Sequence, residues 1–429
     1  MKKTVNHILA AGLLALLSLA SCTDEFIEGN DLQGVDRDKR VEVRLPFGVG
    51  RGITTTITTR AAGGEIDYDS QLSGVMAFVY EAKSDNPEEN ELLAYHLFSN
   101  PSNKPLEGAT GGWIADNDDP TCGEIKFYVP VGDVYIYLLG NAQSSFLNFF
   151  PGVSGGDALG TQAEFFEKAT PKWNGNIHSV DGYLPLTGMV NNNTGLCHVN
   201  EQGQISYTDE EGKTHTLLPD GKHDEDNSCV LKRLMSKITM NIREGKGVKF
   251  TARDYTVRHI PHYVSPTAQA WTEEERDRIL VEDATPVNFG LLDSLTFTIY
   301  LPENIRKVRS GVEITEYRQR DKVVKTADNK NTEETAPDDF HADNADDHKG
   351  HYKFEFAPKA STYIELTGWF ENADKTVAAD VRYYIHLGNF GKDLNHFSVE
   401  RDHHYTYNVT INGVDDIVVE VEDENEKTP

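Results

Sequence analysis

Two groups of residues have the types from which catalytic or metal sites are built, and the first is a serine motif. Gly152-Val153-Ser154-Gly155-Gly156 has the Gly-x-Ser-x-Gly spacing of a nucleophilic serine on a sharp strand-to-helix turn. That turn needs a buried strand before it and a helix directly after it. Here Pro151 precedes the motif and the nearest predicted helix begins several residues later. We interpret the motif as a flexible glycine turn, so a hydrolase is the least favoured function and no catalytic residue is assigned.

The second group is a cluster of His and Asp side chains in a strongly charged segment, residues 322–347 and just beyond. Its spacing does not match a calcium-binding loop, and no His pair has the spacing that puts two ligands on one helix face. A solvated acidic loop is the preferred interpretation, with an adventitious cation site as the alternative. The cluster consists of His341, Asp343, Asp346, Asp347, His348 and His351. No cofactor is predicted.

Two tryptophans are candidates for stacking on a sugar ring. Trp113 lies in a glycine-rich segment and Trp173 lies near Gly175. A single tryptophan more often packs against its own protein, because its ring buries a large apolar area. Packing is therefore the preferred interpretation of both.

The first 22 residues have the pattern of a lipoprotein export signal. Met1-Lys2-Lys3 is basic, and residues 8–20 form an apolar run that is too short to span a membrane. The run ends in Leu19-Ala20-Ser21-Cys22, which resembles the lipobox at which a signal peptidase cuts before a cysteine that is then acylated. We expect residues 1–21 to be removed and Cys22 to carry the lipid, palmitate included, that anchors the chain without spanning the bilayer.

Composition excludes one class of partner. The 429 residues include 69 acidic and 41 basic side chains, for a net charge of −28. Binding to nucleic acid needs a basic face, so no nucleic acid is expected. Besides Cys22 there are three cysteines, Cys122, Cys197 and Cys229, whose number and spacing suit neither a disulfide framework nor a zinc site. Three unpaired thiols are favoured over a single Cys197–Cys229 bridge.

The segment from Val41 to Ala62 suggests a strand that can be released. Apolar residues alternate with others from Val41 to Phe47, which is typical of a half-buried strand, and Pro46 favours an edge position. A small polar run containing Arg60 follows, and exposed runs of this kind are where proteases cut. We hypothesise that cutting after Arg60 frees the strand, so that a strand of another molecule can take its place. Arg51 is an alternative cut site, less favoured because it lies closer to the strand; an ordinary edge strand followed by a linker is the alternative interpretation.

The rest of the chain predicts many short strands and few helices, which is typical of β-sandwiches. Gly132-Asp133 is predicted to turn one strand back on the next as a hairpin. Helices are predicted over residues 161–169, with Thr161 as the cap, and over residues 271–280. Residues 191–227 are predicted to be a long loop with one weak strand. The predicted strands are 71–80, 92–98, 124–131, 134–141, 205–207, 230–242, 250–259, 295–301, 312–317, 351–356, 362–370, 381–386, 405–411 and 416–421.

Motifs distributed from the leader to the C terminus resemble those of the fimbrillins, the type V pilin subunits of Bacteroidales. They are the lipobox at Cys22, Thr59-Arg60-Ala61, the strand Leu72 to Tyr80, Tyr183 to Gly188, Leu231 to Ile238, Tyr300 to Asn304 and the segment His404 to Ile417. The resemblance implies a mainly β chain with two tandem transthyretin-like β-sandwich domains, residues 61–228 and 229–429, and a few short helices. Residues 22–60 would be a propeptide that includes the first strand.

The resemblance also implies a function at the cell surface. Fimbrillins of the stalk are exported as lipoproteins, cut by an Arg-specific protease after the first strand and polymerised by donor-strand exchange. By position, Cys22 would be the lipidation site and Arg60 the cleavage site. The donor-strand candidates are Ile417, Val419 and Val421, since the tail beyond them is acidic and poor in apolar residues.

Several roles and partners remain open after the sequence. The expected partners are other fimbrial subunits, the Arg-specific protease and the outer membrane, reached through the lipid. The chain could be a stalk, tip or anchor subunit. The alternative is a surface lipoprotein or tip adhesin that binds a host or bacterial glycan or protein, and neither role requires enzymatic activity.

Overall fold

The structure is a computed structural model. It describes residues 36–50, 72–101, 109, 112–116, 121–142, 147–148, 160–168, 171–178, 183–192, 194–219, 228–267, 281–291, 295–308, 312–326, 340–341 and 351–423. Cys22, Arg51, Arg60, the Gly152–Gly156 motif, the helix predicted over 271–280 and most of the acidic His/Asp cluster lie outside these residues. Within them, no helix has the length and apolar character needed to cross a bilayer.

The described residues between 36 and 233 form twelve strands and one α-helix. They are β1 (Asp36–Val49), β2 (Gly74–Glu81), β3 (Leu92–Ser99), β4 (Trp113–Ala115), β5 (Cys122–Gly140), β6 (Leu147–Asn148), α1 (Gln162–Lys168), β7 (Lys172–Trp173), β8 (Leu186–Met189), β9 (Leu196–Val199), β10 (Ile205–Thr208), β11 (Thr214–Thr216) and β12 (Cys229–Arg233), with a short 3-10 helix at Val190–Asn192. All the strands except β6 and β7 belong to one ten-stranded sheet.

The 19-residue strand β5 organises this sheet. Its first half pairs with β1 and β4, and its second half pairs with β2, β8 and β9. The predicted hairpin turn at Gly132-Asp133 is therefore wrong, since Gly132 pairs with Val199 and the strand continues. Gly132, with φ +132°, lies where β5 changes its partner strands, which explains a glycine within a strand.

The described residues after Leu234 form thirteen strands and one α-helix. They are β13 (Met235–Glu244), β14 (Val248–Arg258), β15 (Ile260–Pro261), β16 (Val281–Glu282), β17 (Val287–Asn288), β18 (Thr296–Pro302), α2 (Tyr317–Arg320), β19 (Val323–Thr326), β20 (Phe340–His341), β21 (His351–Phe354), β22 (Tyr363–Asn372), β23 (Ala378–His386), β24 (His404–Ile411) and β25 (Ile417–Asp423), with a 3-10 helix at Phe289–Leu291. The two larger sheets have the orders β18-β13-β24-β25 and β17-β14-β22-β23.

These two four-stranded sheets share one apolar core and so form a sandwich. Ile238 and Tyr405 from one sheet and Leu366 from the other are fully buried in the same cluster. The rings of Tyr255 in β14 and Phe297 in β18 stack with centroids 3.9 Å apart. The predicted fold class, mainly β with several sheets and few helices, is confirmed.

Of three further predictions, for a helix, a strand and a loop, one is confirmed and two are wrong. Helix α1 is capped as predicted, because Thr161 Oγ1 accepts a hydrogen bond from the Glu164 amide and Glu164 Oε2 accepts one from the Thr161 amide, both at 3.2 Å. The strand predicted over 312–317 is wrong, since α2 begins at Tyr317. Residues 194–219 contain three paired strands rather than one.

The strand predicted over 230–242 is two strands that belong to different sheets. β12 pairs with β1 and β8 of the first sheet, whereas β13 pairs with β18 and β24 of the sandwich. Leu234, the single residue between β12 and β13, is fully buried. The domain limits 61–228 and 229–429 stay a prediction. The chain passes from the first sheet to the sandwich at Leu234, close to the predicted limit at residue 229.

Candidate subunit-interaction site

The first described strand, β1, pairs with β5 along its length and with β12 at its C-terminal end. We call the site that these two strands form around β1 the β1 slot. Residues Val41 to Gly48 pair antiparallel with β5, and Phe47 to Val49 also pair parallel with β12. Among the described strands, residues 36–46 pair with β5 alone, so this part of β1 lies at a sheet edge, as Pro46 predicted. On its other side, residues 36–46 pair with no described strand, although Gly203 in the turn between β9 and β10 lies against the Glu42 carbonyl. β12 closes the slot at one end.

The inner face of β1 is apolar and buried. Val43, Leu45 and Phe47 have no exposed surface, and Val41 is partly buried against the same core. The Phe47 ring meets the Trp113 ring edge to face, with centroids 4.9 Å apart. Full burial of a large apolar side chain is worth about 1.5–3 kcal/mol, so these three contribute roughly 5–9 kcal/mol before entropy is counted.

Charged side chains of β1 meet the walls of the slot. Arg44 Nε lies 3.4 Å from Oε2 of the buried Glu124 on β5. Arg40 Nη2 donates to the Leu93 carbonyl on β3 at 3.5 Å. Burial, and then the charge of Arg40, lower the pKa of His96 on β3 from 6.5 to about 4. While β1 occupies the slot, His96 is therefore uncharged at neutral pH.

The chain leaves β1 through a group of contacts that we call the Gly50 clamp, made of Gly50, Leu231, Arg233 and Asp402. The Gly50 amide donates to the Leu231 carbonyl at 2.8 Å. Arg233 Nη1 donates both to the Gly50 carbonyl and to Asp402 Oδ1, each at 2.8 Å. Arg233 is only 2% exposed, so a buried ion pair holds the end of β1 through its backbone.

At the other end of the chain, the predicted donor strand forms the edge strand β25. It pairs with β24 along its whole length, from Ile417 opposite Ile411 to Asp423 opposite Tyr405. Val419 is buried, Ile417 and Val421 are partly buried against the sandwich core, and Val418 on the other face is 46% exposed. All three donor candidates thus face the core of their own sandwich.

The last residue of β25 is held by side chains. Asp423 is buried, and its Oδ2 lies 2.9 Å from Nδ1 of His403 and accepts a hydrogen bond from Asn389 Nδ2 at 3.2 Å. Burial lowers the pKa of His403, but the hydrogen bond to Asp423 and the charges of Asp423 and Glu400 outweigh burial and raise it above 6.5. Protonation of His403 therefore strengthens this contact.

The other chemical candidates are structural where they are described. The Trp173 indole is buried and donates to the Asn176 carbonyl at 2.8 Å, and Trp113 packs on Phe47, so the packing interpretation is confirmed for both. Cys122, Cys197 and Cys229 are free and buried, and burial raises the pKa of the Cys197 and Cys229 thiols. In the described part of the chain, no three His, Cys, Asp or Glu side chains gather as metal ligands.

The sequence did not single out the residues of the Gly50 clamp. Arg233 lies in the motif Leu231 to Ile238, where period two places it on the same face as the buried Leu231, and this is a weak signal of a buried charge. Asp402 lies 169 residues away from Arg233 along the chain. No local pattern could have joined the two.

Comparisons with known proteins give a partial match and several distant ones. A family model described as a domain of unknown function, DUF4906, matches residues 299–409. No curated protein matches the chain. Among solved structures, the chain is similar to the tip fimbrial protein Mfa3 from Porphyromonas gingivalis, with 14% identity over 90% of this chain and 99% of that one, at a TM-score of 0.44.

Two further solved structures are similar over comparable lengths. A protein described as a cell adhesion protein from Parabacteroides distasonis has 9% identity over 91% of this chain and 99% of that one, at a TM-score of 0.46. The fimbrial anchor protein Mfa2 from Porphyromonas gingivalis has 8% identity over 90% and 97%, at a TM-score of 0.31. By their names these are fimbrial and cell adhesion proteins, and the sequence motifs of this chain resemble those of fimbrillins. Because every TM-score is below 0.5, none of these likenesses assigns a role to a residue of this chain.

Proposed function

We propose that this chain is a subunit of a cell-surface fimbria. In this proposal β1 fills its own slot until a protease cuts behind it, and a strand of another subunit then replaces it. The observation that carries the proposal is the combination in β1 of the buried side chains of Val43, Leu45 and Phe47 with an edge along residues 36–46 that pairs with no described strand besides β5. Strand addition at such an edge supplies both main-chain hydrogen bonds and side-chain pockets.

Removal of β1 would leave the other strands of the sheet joined. β5 keeps its pairs with β2, β4, β8 and β9, and β12 keeps its pair with β8. The vacated slot would expose the apolar side chains of β5 that now contact β1, among them Ile125, Phe127 and Val129. A new strand with apolar residues at the same positions would bury them again, with little cost of ordering if the slot keeps its shape.

The Gly50 clamp supports Arg60 over Arg51 as the cut site. Both backbone groups of Gly50, the residue directly before Arg51, are hydrogen-bonded, to Leu231 and to Arg233. A protease must hold the chain on both sides of the bond that it cuts, so a bond next to the clamp is a poor substrate. Arg60 lies further along in a small polar run. Lipidation of Cys22 and anchoring in the outer membrane complete the proposal.

The experiment measures strand uptake by the mature full-length chain. We expect limited digestion with an Arg-specific protease to give a single new N terminus at Ala61. The cut chain, but not the uncut chain, should then bind a fluorescent peptide of residues 36–50 in a complex that survives a denaturing gel without heating. Arg60→Ala should abolish both the cut and the uptake, and Arg51→Ala, the matched control, should abolish neither.

Two outcomes would count against the proposal. A cut chain that takes up no labelled peptide has no exchangeable β1, and a surface adhesin that keeps its own strand becomes the better function. If Arg51→Ala blocks the cut and Arg60→Ala does not, the cut site is misplaced although strand exchange can still hold.

A further inference from the structure

We propose that the β1 slot requires glycine at its closed end and therefore excludes this chain's own terminal strand. The inference rests on the proposed function, because it concerns which strand can refill the slot. The fitting partner is a different chain that contributes an extended strand with alternating large apolar residues and a glycine three residues after the last of them. The chain would accept such a strand without polymerising with itself.

The requirement comes from space at the Gly50 clamp. A Cβ atom on Gly50 would lie 2.8 Å from Asp402 Oδ2, closer than real Cβ contacts, and 3.5 Å from the Leu231 carbonyl oxygen. Gly50 does not have the left-handed φ that only glycine adopts readily. Its backbone would thus accept any residue, and the carboxylate of Asp402 alone excludes a side chain.

Asp402 is held in place by hydrogen bonds. Its Oδ1 accepts hydrogen bonds from Arg233 Nη1 at 2.8 Å and from the Arg233 amide at 3.3 Å. Its own amide donates to the Met235 carbonyl at 3.1 Å. The residue is buried, so moving its carboxylate away from position 50 would separate a buried ion pair, which is strongly unfavourable.

Apart from this glycine and the side chain at the Phe47 position, the closed end of the slot is contacted through backbone groups. Arg233 binds the carbonyl of Gly50, Leu231 accepts its amide, and β12 pairs with the backbone of Phe47 to Val49. Any extended strand can offer these groups. Selection therefore depends on the apolar residues at the positions of Val43, Leu45 and Phe47 and on the absence of a side chain three residues after Phe47.

β25 fails this requirement in every register that keeps its apolar face inward. Placing Ile417, Val419 or Val421 at the Phe47 position, in the direction of β1, puts Glu420, Glu422 or Glu424 at the Gly50 position. Each glutamate adds a long side chain and a second carboxylate beside Asp402. Like charges at this distance repel in a buried site, so steric and electrostatic effects act together.

The first test compares peptides for uptake by the cut full-length chain. Four labelled peptides are offered separately: residues 36–50, the same peptide with Gly50→Val, the same peptide with Glu42→Val, and residues 411–425 containing β25. Glu42 is exposed on β1, so its replacement is the matched control for adding a β-branched residue. We expect the Glu42→Val peptide to match the parent, and the Gly50→Val and β25 peptides to be taken up at least ten-fold less.

Equal uptake of the Gly50→Val peptide would overturn the glycine requirement, and equal uptake of the β25 peptide would overturn the exclusion of self-assembly. If no peptide enters, the proposed function fails, and the second test still decides the inference.

The second test uses the uncut chain, in which Gly50→Ala and Gly50→Val should lower Tm by several degrees and Glu42→Val should not. In an Asp402→Gly background, where the positive φ of residue 402 suits glycine, Gly50→Ala should lose most of its effect. An unchanged effect in that background would refute the role of Asp402.

Discussion

The strands β1 and β25 both lie at sheet edges, yet their own sheets hold them very differently. Three inner residues of β1 have no exposed surface, whereas in β25 only Val419 among the three apolar inner residues is buried, at 7% exposure. β1 also gains a second partner strand at its end, while β25 pairs with β24 alone among the described strands. An edge position alone therefore does not indicate how much a strand contributes to the free energy of unfolding, because two edge strands can differ in how deeply their side chains are buried.

The ends of the two strands show a second difference. β1 ends at the Gly50 clamp, where Arg233 binds a backbone carbonyl that any strand can supply. β25 ends at Asp423, whose carboxylate contacts His403 and Asn389 and is specific to this sequence. The end of β1 is thus held through a backbone group that other strands also carry, whereas the end of β25 is held through its own side chain.

Shortening one inner residue in each strand is expected to give the largest contrast. Phe47→Ala removes a fully buried ring from β1 and should lower the free energy of unfolding by about 3–5 kcal/mol. Val421→Ala removes two methyl groups from a partly buried site in β25 and should cost about 1 kcal/mol. Urea unfolding of the full chain at neutral pH measures both values.

The exposed Tyr128 on β5, which pairs with Glu42 of β1, is the control for this comparison. Tyr128→Ala should change the free energy of unfolding little, because its ring is 56% exposed. If Phe47→Ala and Val421→Ala cost the same, the difference in burial between the two strands has no energetic meaning.

The contrast also shows which parts of this structure a sequence can predict. β1 was predictable because its apolar residues alternate over Val41 to Phe47, so period two identifies both the strand and its buried face. Helix α1 was predictable because Thr161 and Glu164 form a local capping box. Both signals lie within a few residues of each other along the chain.

Features that depend on distant partners were not predictable. Gly132-Asp133 is a sound local turn signal, but pairing with β9, more than sixty residues later, keeps β5 extended through it. The break at Leu234 follows from which sheet each neighbouring residue joins, and no change in the apolar pattern marks it. The Gly50 clamp joins three distant parts of the chain, so the closed end of the slot could be found only in the structure.

Acid should weaken the β1 region, with the next largest effect. The folded chain lowers the pKa of His96 to about 4, below the ordinary 6.5, because the side chain is partly buried and lies near the charge of Arg40 on β1. In the unfolded chain His96 binds its proton near pH 6.5, so stability from this residue is present above that pH and is lost as the pH falls toward 4. The loss amounts to roughly 2–4 kcal/mol.

Comparison with His96→Gln isolates this effect from the titration of carboxylates. The variant keeps a polar side chain but has no proton to gain, so its free energy of unfolding should fall less than that of the parent between pH 6.5 and 4. The same variant should retain more labelled β1 peptide in the cut chain at low pH. If the free energies of unfolding of the parent and the variant fall equally between pH 6.5 and 4, protonation of His96 does not destabilise the β1 region.

The β25 region should respond to acid in the opposite direction, with the smallest effect. The pKa of His403 is raised, because its contacts with Asp423 and Glu400 outweigh burial, so the stabilisation is complete below pH 6.5 and is lost as the pH rises through the raised value. His403→Gln should therefore cost about 1 kcal/mol of unfolding free energy below pH 6.5 and progressively less at higher pH. His198→Gln, which breaks an exposed contact with Asp133, is the matched control and should show almost no cost. A cost of His403→Gln that grows with pH would mean that Asp423 does not hold the end of β25 through a protonated histidine, and the proposed contrast between the two strand ends would fail.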